Sequence, residues 1–110
     1  MKSNINFTTL KKNSEIKNLA IRGKFLSCKG FKFRFQLIKG DMIRYAISVN
    51  KKIFRTAVLR NKIKRQIRAM IRNINLEKSF DLLIIINQQY LKNNFATNNH
   101  TFVKLINKIK

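Results

Sequence analysis

One hundred and ten residues suit one domain, expected over 1–110, and at 45% hydrophobic the chain has enough apolar side chain for a single core. Its 25 Lys and Arg face only 4 Asp and Glu, a formal net charge of +21, and self-repulsion of that size opposes compaction unless a polyanion supplies the missing charge. No apolar run reaches the roughly 18 residues of a membrane span, and the polar start Met1-Lys2-Ser3-Asn4-Ile5-Asn6 lacks the apolar block of a secretion signal, so composition points away from membrane and secreted proteins and toward a cytoplasmic nucleic-acid binder.

Without proline, breaks between elements are marked by glycine and polar clusters. Asn13-Ser14-Glu15, followed by Ile16, Leu19 and Ala20, predicts a capped short helix that stops at Gly23. Phe31, Phe33, Phe35 and Leu37 then alternate with Lys32, Arg34 and Gln36, the period-two pattern of a half-buried strand. Lys39-Gly40-Asp41 marks a turn, and a second strand runs from Arg44 to Val49 with Tyr45, Ile47 and Val49 on one face; the pair reads as a hairpin. The phenylalanines are either a stacking platform for unpaired bases or core. A small domain without tryptophan must bury something large, which favours core, with Lys32 and Arg34 on the other face.

The stretch from Val58 to Asn75 carries the strongest helical signal. Leu59, Ile63, Ile67, Met70, Ile71 and Ile74 fall within an arc of about 120°. Arg60, Lys64, Arg65, Arg68 and Arg72, with Asn61 among them, fill a neighbouring arc of roughly 140°. A solvated face is the usual fate of Lys and Arg, but ordinary surface helices intersperse acids for i,i+4 pairing. No Asp or Glu occurs between Arg44 and Ile74. Phosphate is the better partner for such a face, because the planar arginine fork binds its oxygens bidentately.

Leu82-Leu83-Ile84-Ile85-Ile86 reads as a buried strand, so that strand, helix and strand make a β-α-β crossover onto one sheet. The Asn-rich stretch from Asn87 to Asn99 is a loop or holds a short helix, and Phe102, Leu105, Ile106 and Ile109 recur at helical spacing. The order α-β-β-α-β-α predicts an α+β fold built as a two-layer sandwich.

Catalytic chemistry has little to draw on. Cys28 and His100 are the only cysteine and histidine, too few for a disulfide framework or a zinc site. Cys28 reads as a small buried or semi-exposed thiol. His100 lies in Thr97-Asn98-Asn99-His100-Thr101, read as a helix start, where a surface or capping role fits better than a nucleophile's base. Glu15, Asp41, Glu77 and Asp81 are widely spaced, whereas a two-metal nuclease converges several carboxylates on ions about 4 Å apart. Helix termination and strand initiation suit Glu77 and Asp81 better than coordination. Gly23, Gly30 and Gly40 form neither phosphate-binding glycine motif. No catalytic residue is expected. Among binders, a small basic ribosomal protein would share the charge and size. A helix-turn-helix DNA module would need a partner helix before the basic one, where a strand stands instead. A membrane-surface helix conflicts with use of the apolar arc for the core.

Ile47-Ser48-Val49-Asn50-Lys51-Lys52, followed by Arg60-Asn61-Lys62-Ile63-Lys64-Arg65-Gln66-Ile67-Arg68, resembles the signature of the bacterial ribonuclease P protein family. That signature runs close to S-V-x-K-K and then R-N-R-x-K-R-x-x-R on a long helix. Leu10-Lys11-Lys12-Asn13-Ser14-Glu15-Ile16 is similar to the family's opening L-K-K-x-x-D-F helix, and Asp81 to Ile86 is similar to its D-x-V-x-I-A strand. The resemblance implies a fold of the ribosomal protein S5 domain 2-like type with a left-handed β-α-β crossover. It implies a non-catalytic subunit of an endoribonuclease whose catalytic RNA, with bound magnesium, removes the 5′ leader of precursor tRNA. The subunit would be monomeric in the complex, hold no metal itself and touch no membrane. Arg60, Asn61, Lys62, Lys64, Arg65 and Arg68 carry over as contacts to the catalytic RNA, with Lys51 and Lys52 near the strand end; Arg55 and Arg72 complete the expected RNA-binding set. The leader cleft between the first helix and the sheet falls at Ile16 and Ala20, aromatic in the family, and near Arg34, a tyrosine in some members. Leader binding is therefore expected to rest on charge and apolar contact more than on stacking.

Overall fold

In the computed structural model, residues 6–40, 42–74 and 78–109 are described, so Met1 to Ile5, the helix end at Asn75, and the carboxylates Asp41 and Glu77 lie outside the described residues. The chain runs β1 (Asn6–Thr9), α1 (Asn13–Arg22), β2 (Lys24–Cys28), β3 (Phe31–Leu37), β4 (Met42–Val49), α2 (Ala57–Arg72), β5 (Phe80–Ile86), a 3-10 helix (Gln88–Lys92) and α3 (Phe95–Ile106). The five strands form one sheet in the order β1-β4-β5-β3-β2.

A strand apolar on both faces is best satisfied at the centre of a sheet, and β5 takes that place. It pairs parallel with β4, Ile84 opposite Ile47, and antiparallel with β3, Ile84 opposite Phe33. The expected β3–β4 hairpin is therefore wrong: β5 is inserted between the two strands. The hairpin is formed by β2 and β3, from Lys24↔Phe35 to Cys28↔Phe31, closed at Lys29-Gly30 with Gly30 at φ 90, a backbone region that favours glycine. The parallel β4-α2-β5 unit matches the expected crossover. Neither β1 nor β2 was expected. β1 spans four residues, and along β2 only Leu26 is even partly buried, so neither carries a period-two apolar signal.

On one face of the sheet, Phe31, Phe33 and Phe35 join Leu82, Ile84, α2 and α3 in the main core. Phe102 meets Phe31 and Phe33 edge-on with ring centroids 5.6 and 5.4 Å apart. The phenylalanines of β3 are core and offer no face to a base. On the other face α1 seals Leu19 and Leu10 against Leu83, with Ile16, Ala20, Ala46 and Ile85 packed around them. Two layers therefore describe the main core only. Because Leu83 and Ile85 alternate with Leu82 and Ile84, the second face also needs a cover, and α1 supplies a small third layer.

Arg44 fastens that layer. Its Nε and Nη2 donate to Asp81 Oδ1 and Oδ2 at 2.8 and 2.7 Å, while Nη1 donates to Glu15 Oε2 at 3.0 Å. One guanidinium thus joins α1, β4 and β5. The hydrogen bond to Asp81 is the main reason that the Arg44 pKa lies above its ordinary value. At the end of α1, Gly23 has an extended backbone rather than the left-handed cap expected of glycine. Glycine is needed there because a Cβ would lie 2.5 Å from the Leu19 carbonyl and 3.1 Å from the Phe35 nitrogen. The expected cap at the start of α1 is also absent: Lys12 holds the capping position without a side-chain bond, and Asn13 is already helical. α3 begins at Phe95, capped by Asn94, whose side chain accepts from the Thr97 N–H at 2.8 Å. His100 is therefore an exposed mid-helix residue, not a helix start, and Cys28 is exposed. Phe102, Leu105, Ile106 and Ile109 are buried as their spacing indicated. Among the described residues no helix is long and apolar enough to cross a membrane.

Two outcomes test this packing. Ile67 is fully buried between α2 and the sheet, and an unpaired carboxylate there costs several kcal/mol, comparable with the whole stability of a small domain. Ile67→Asp should therefore abolish the cooperative thermal transition in circular dichroism. Burial pushes the Tyr90 phenol from about 10 up to about 12, and its hydroxyl donates to Gln66 Oε1 at 2.7 Å. A raised pKa means that the folded chain holds the proton more tightly, so this contribution to stability is intact below about pH 10 and is lost as pH climbs toward 12. Tyr90→Phe should delete the late step of the tyrosinate absorbance titration.

Candidate nucleic-acid interface

Helix α2 is rotated by what it buries. Ile63, Ile67, Met70 and Ile71 are buried, each contributing roughly 1.5–3 kcal/mol by leaving water. Thr56 starts the helix by accepting the Leu59 N–H at 3.1 Å, a bond typically worth about 1 kcal/mol. With that stripe fixed inward, Asn61, Lys62, Arg65, Arg68 and Arg72 are exposed, and Arg60 and Lys64 are half-buried. Among the described residues the only ion pairs are those of Arg44 with Glu15 and Asp81. The cations of α2 therefore have no carboxylate partner among the described residues.

Arg60 departs from the expectation of a purely outward contact. Its Nη1 donates to the Phe54 carbonyl at 2.8 Å, so part of the guanidinium stitches α2 to the preceding loop. That loop is ordered from within. Phe54 plugs the core, the Ile53 and Phe54 N–H groups donate to the Asn50 carbonyl, and Asn50 Oδ1 accepts from the Lys52 N–H at 2.7 Å. Lys51, Lys52 and Arg55 are held exposed beside the start of α2 as a result.

The three candidate cleft residues share the α1 face of the sheet: Ile16 and Ala20 pack around Leu83, and Arg34 is its cross-strand neighbour. β1 ends with Thr9 opposite Tyr45, and the Leu10 N–H donates to the Tyr45 carbonyl, whereas β4 continues to Val49. Past Tyr45 the edge of β4 has no neighbouring strand on that side among the described residues. A depression of about 220 Å³ opens there, lined by Ile16 of α1 on one side and Lys64 and Arg68 of α2 on the other, with Tyr45, Ala46 and Ile47 between. Ile16 thus meets the cationic helix around the sheet edge. Ala20, like Ile16, packs against the Leu10, Leu19 and Leu83 cluster. Arg34 lies on the same face as α1 but toward the opposite edge, opposite Leu83 on one side and Phe25 on the other. Its Nη1 donates to the Gly23 carbonyl at 3.3 Å, and its guanidinium carbon sits 4.8 Å from the centroid of the Phe25 ring. Phe25 and the Arg44 cluster were not legible as site features, because both depend on cross-strand neighbours.

Glu15 and Asp81 are both committed to Arg44, and among the described residues no three potential metal ligands gather. What the surface can do chemically is bind anions, over a tract that runs from the Lys51–Arg55 loop along α2 to the edge of β4.

Comparison with known proteins finds one family. The ribonuclease P family profile matches residues 6–110. The chain is 39% identical over 110 residues to the ribonuclease P protein component of Mycoplasma mycoides, covering 96% of this chain and 98% of that one. It is 37% identical over 100 residues to the corresponding protein of Mesoplasma florum, covering 88% and 90%. The solved RNase P protein from Thermotoga maritima superposes with a TM-score of 0.82 at 25% identity, over 93% of this chain and 97% of that one. A Staphylococcus aureus RNase P protein mutant superposes with a TM-score of 0.81 at 27% identity, over 90% and 85%. With its motif on α2, its α+β fold and a profile match from the first described strand to the last residue, the chain belongs to the ribonuclease P protein family.

Proposed function

We propose that this chain is the protein subunit of ribonuclease P, binding the catalytic RNA and the 5′ leader of precursor tRNA to assist removal of the leader and formation of the mature tRNA 5′ end. The observation that carries the reading is the cationic face of α2, which has no carboxylate partner among the described residues. Lys62, Lys64, Arg65, Arg68 and Arg72, with Asn61, dock on structured RNA, and Lys51, Lys52 and Arg55 extend the contact; Arg60 contributes while holding the loop. The leader lies near Ile16, on the side of α1, and Arg34. Each phosphate neutralised releases counterions, so affinity falls steeply with salt.

Hydrolysis belongs to the RNA with its bound magnesium, and the protein contributes no active site. This assignment is supported by the commitment of Glu15 and Asp81 to Arg44. The fold is of the ribosomal protein S5 domain 2-like type with a left-handed crossover, a reading supported by the likeness to solved family members. The subunit acts in the cytoplasm as one domain and one copy per complex.

Arg65→Ala and Arg68→Ala should each weaken binding to the catalytic RNA and flatten the salt dependence by about one unit for a lost phosphate contact; unchanged slope and affinity in a filter-binding titration would remove that residue from the interface. In reconstitution, the protein should restore 5′ cleavage of precursor tRNA by a bacterial catalytic RNA at low magnesium. Failure to stimulate cleavage, with tight binding to ribosomal RNA instead, would favour the ribosomal alternative.

A further inference from the structure

A cavity of about 200 Å³ opens between the first half of α2, the 3-10 helix and the start of α3. α2 packs on the face of the sheet opposite to α1, so this cavity is separate from the depression at Ile16. Leu59 and Ile63 of α2 line it on one side, and Leu91 and Phe95 of the other two elements also line it. Leu91 and Phe95 are 50% and 42% exposed, so the opening is apolar, and the exposed Lys62 adds a cation beside it. Apolar walls around a few placed polar groups are the usual form of a small-ligand site, and drug-sized ligands take roughly 300 Å³ or more. This cavity is smaller, of a size for one planar ring system.

Two side-chain amides line the same cavity, and the protein commits one end of each. Asn98 is buried, and its Nδ2 donates to the carbonyls of Tyr90 and Asn93 at 3.0 and 3.4 Å. Those carbonyls fix which end of the amide is nitrogen, and they leave Oδ1 buried with no donor among the described residues. Buried acceptors in folded proteins are nearly always paired. Gln66 is the converse: its Oε1 accepts from the Tyr90 hydroxyl at 2.7 Å, so its amide nitrogen is the end left to donate. One acceptor and one donor in an apolar slot match a nucleobase, whose edges set a donor beside an acceptor around a flat ring. A peptide amide offers the same pair of groups but no negative charge for Lys62. We infer that the cavity binds one nucleotide, with the base between Asn98 and Gln66 and the phosphate at Lys62. The inference deepens the RNA-binding reading above, the nucleotide being either extruded from RNA gripped along α2 or a free mononucleotide.

The chain contains no tryptophan, so Phe95→Trp places a single reporter on the cavity wall. Titration with AMP should quench its fluorescence saturably, with adenosine acting at higher concentration and ribose 5-phosphate leaving it bright. Val103→Trp, about two turns further along α3, should stay unquenched. In the Phe95→Trp chain, Gln66→Glu keeps an acceptor for Tyr90 but removes the donor. It should raise the half-saturating concentration of both AMP and adenosine about tenfold. Lys62→Ala, at an exposed position that folding does not need, should weaken AMP alone. Circular dichroism melts should match the parent for both variants. Saturation with a bacterial catalytic RNA separates the two sources: a lost AMP response means that an RNA nucleotide fills the cavity, and a retained one that a free mononucleotide does. The inference is overturned if AMP leaves the reporter bright at millimolar concentration, if ribose 5-phosphate quenches equally, or if Lys62→Ala and Gln66→Glu respond like the parent. The mononucleotide titrations need no catalytic RNA, so their failure with successful reconstitution sinks this site alone, and the reverse pattern sinks the ribonuclease P reading alone.

Discussion

The burial of Ile63, Ile67, Met70 and Ile71 against the sheet governs everything that α2 presents to solvent. An α-helix advances about 100° per residue, so fixing four side chains inward leaves its remaining positions no rotational freedom. The cations of the Arg60–Arg72 segment are displayed because the isoleucines are hidden, and the Thr56 cap and the Arg60–Phe54 bond hold the start of the helix to its loop. The hydrophobic interaction that stabilises the domain also aims its electrostatics.

The same logic acts on the second face of the sheet at smaller scale. β5 is apolar on both sides, so α1 is recruited over Leu83, and the Arg44 cluster sets its position. Exposed ion pairs are usually worth little, but bidentate geometry with a mostly buried carboxylate is the favourable case. Its larger consequence is for charge: both described carboxylates, Glu15 and Asp81, are taken up by Arg44.

Both halves of the surface meet at the free edge of β4. Because β1 is short, α1 and α2, which lie on opposite faces, line one depression through Ile16, Lys64 and Arg68. The depression joins the cationic side of α2, at Lys64 and Arg68, to the apolar Ile16 on the α1 side of the sheet edge. Such an arrangement trades self-repulsion in the free chain for affinity and fast association with a polyanion, and it ties both to ionic strength.

The amino-acid sequence by itself determined the amphipathic α2, the period-two β3, the apolar β5 and the family motif at Ile47–Lys52 and Arg60–Arg68, because each is written in local periodicity or spacing. Strand order was not legible: β3 and β4 looked like a hairpin until β5, apolar on both faces, took the centre between them. Short edge strands bury too little to leave a pattern, so β1 and β2 emerged only from their partners. Tertiary structure alone decided that Ala20 is packed, that Arg60 is partly occupied by the Phe54 carbonyl, and that Arg34 lies beside Phe25. These are relations between residues distant in sequence, set by register and by which side of the sheet each strand shows, and no local pattern encodes them.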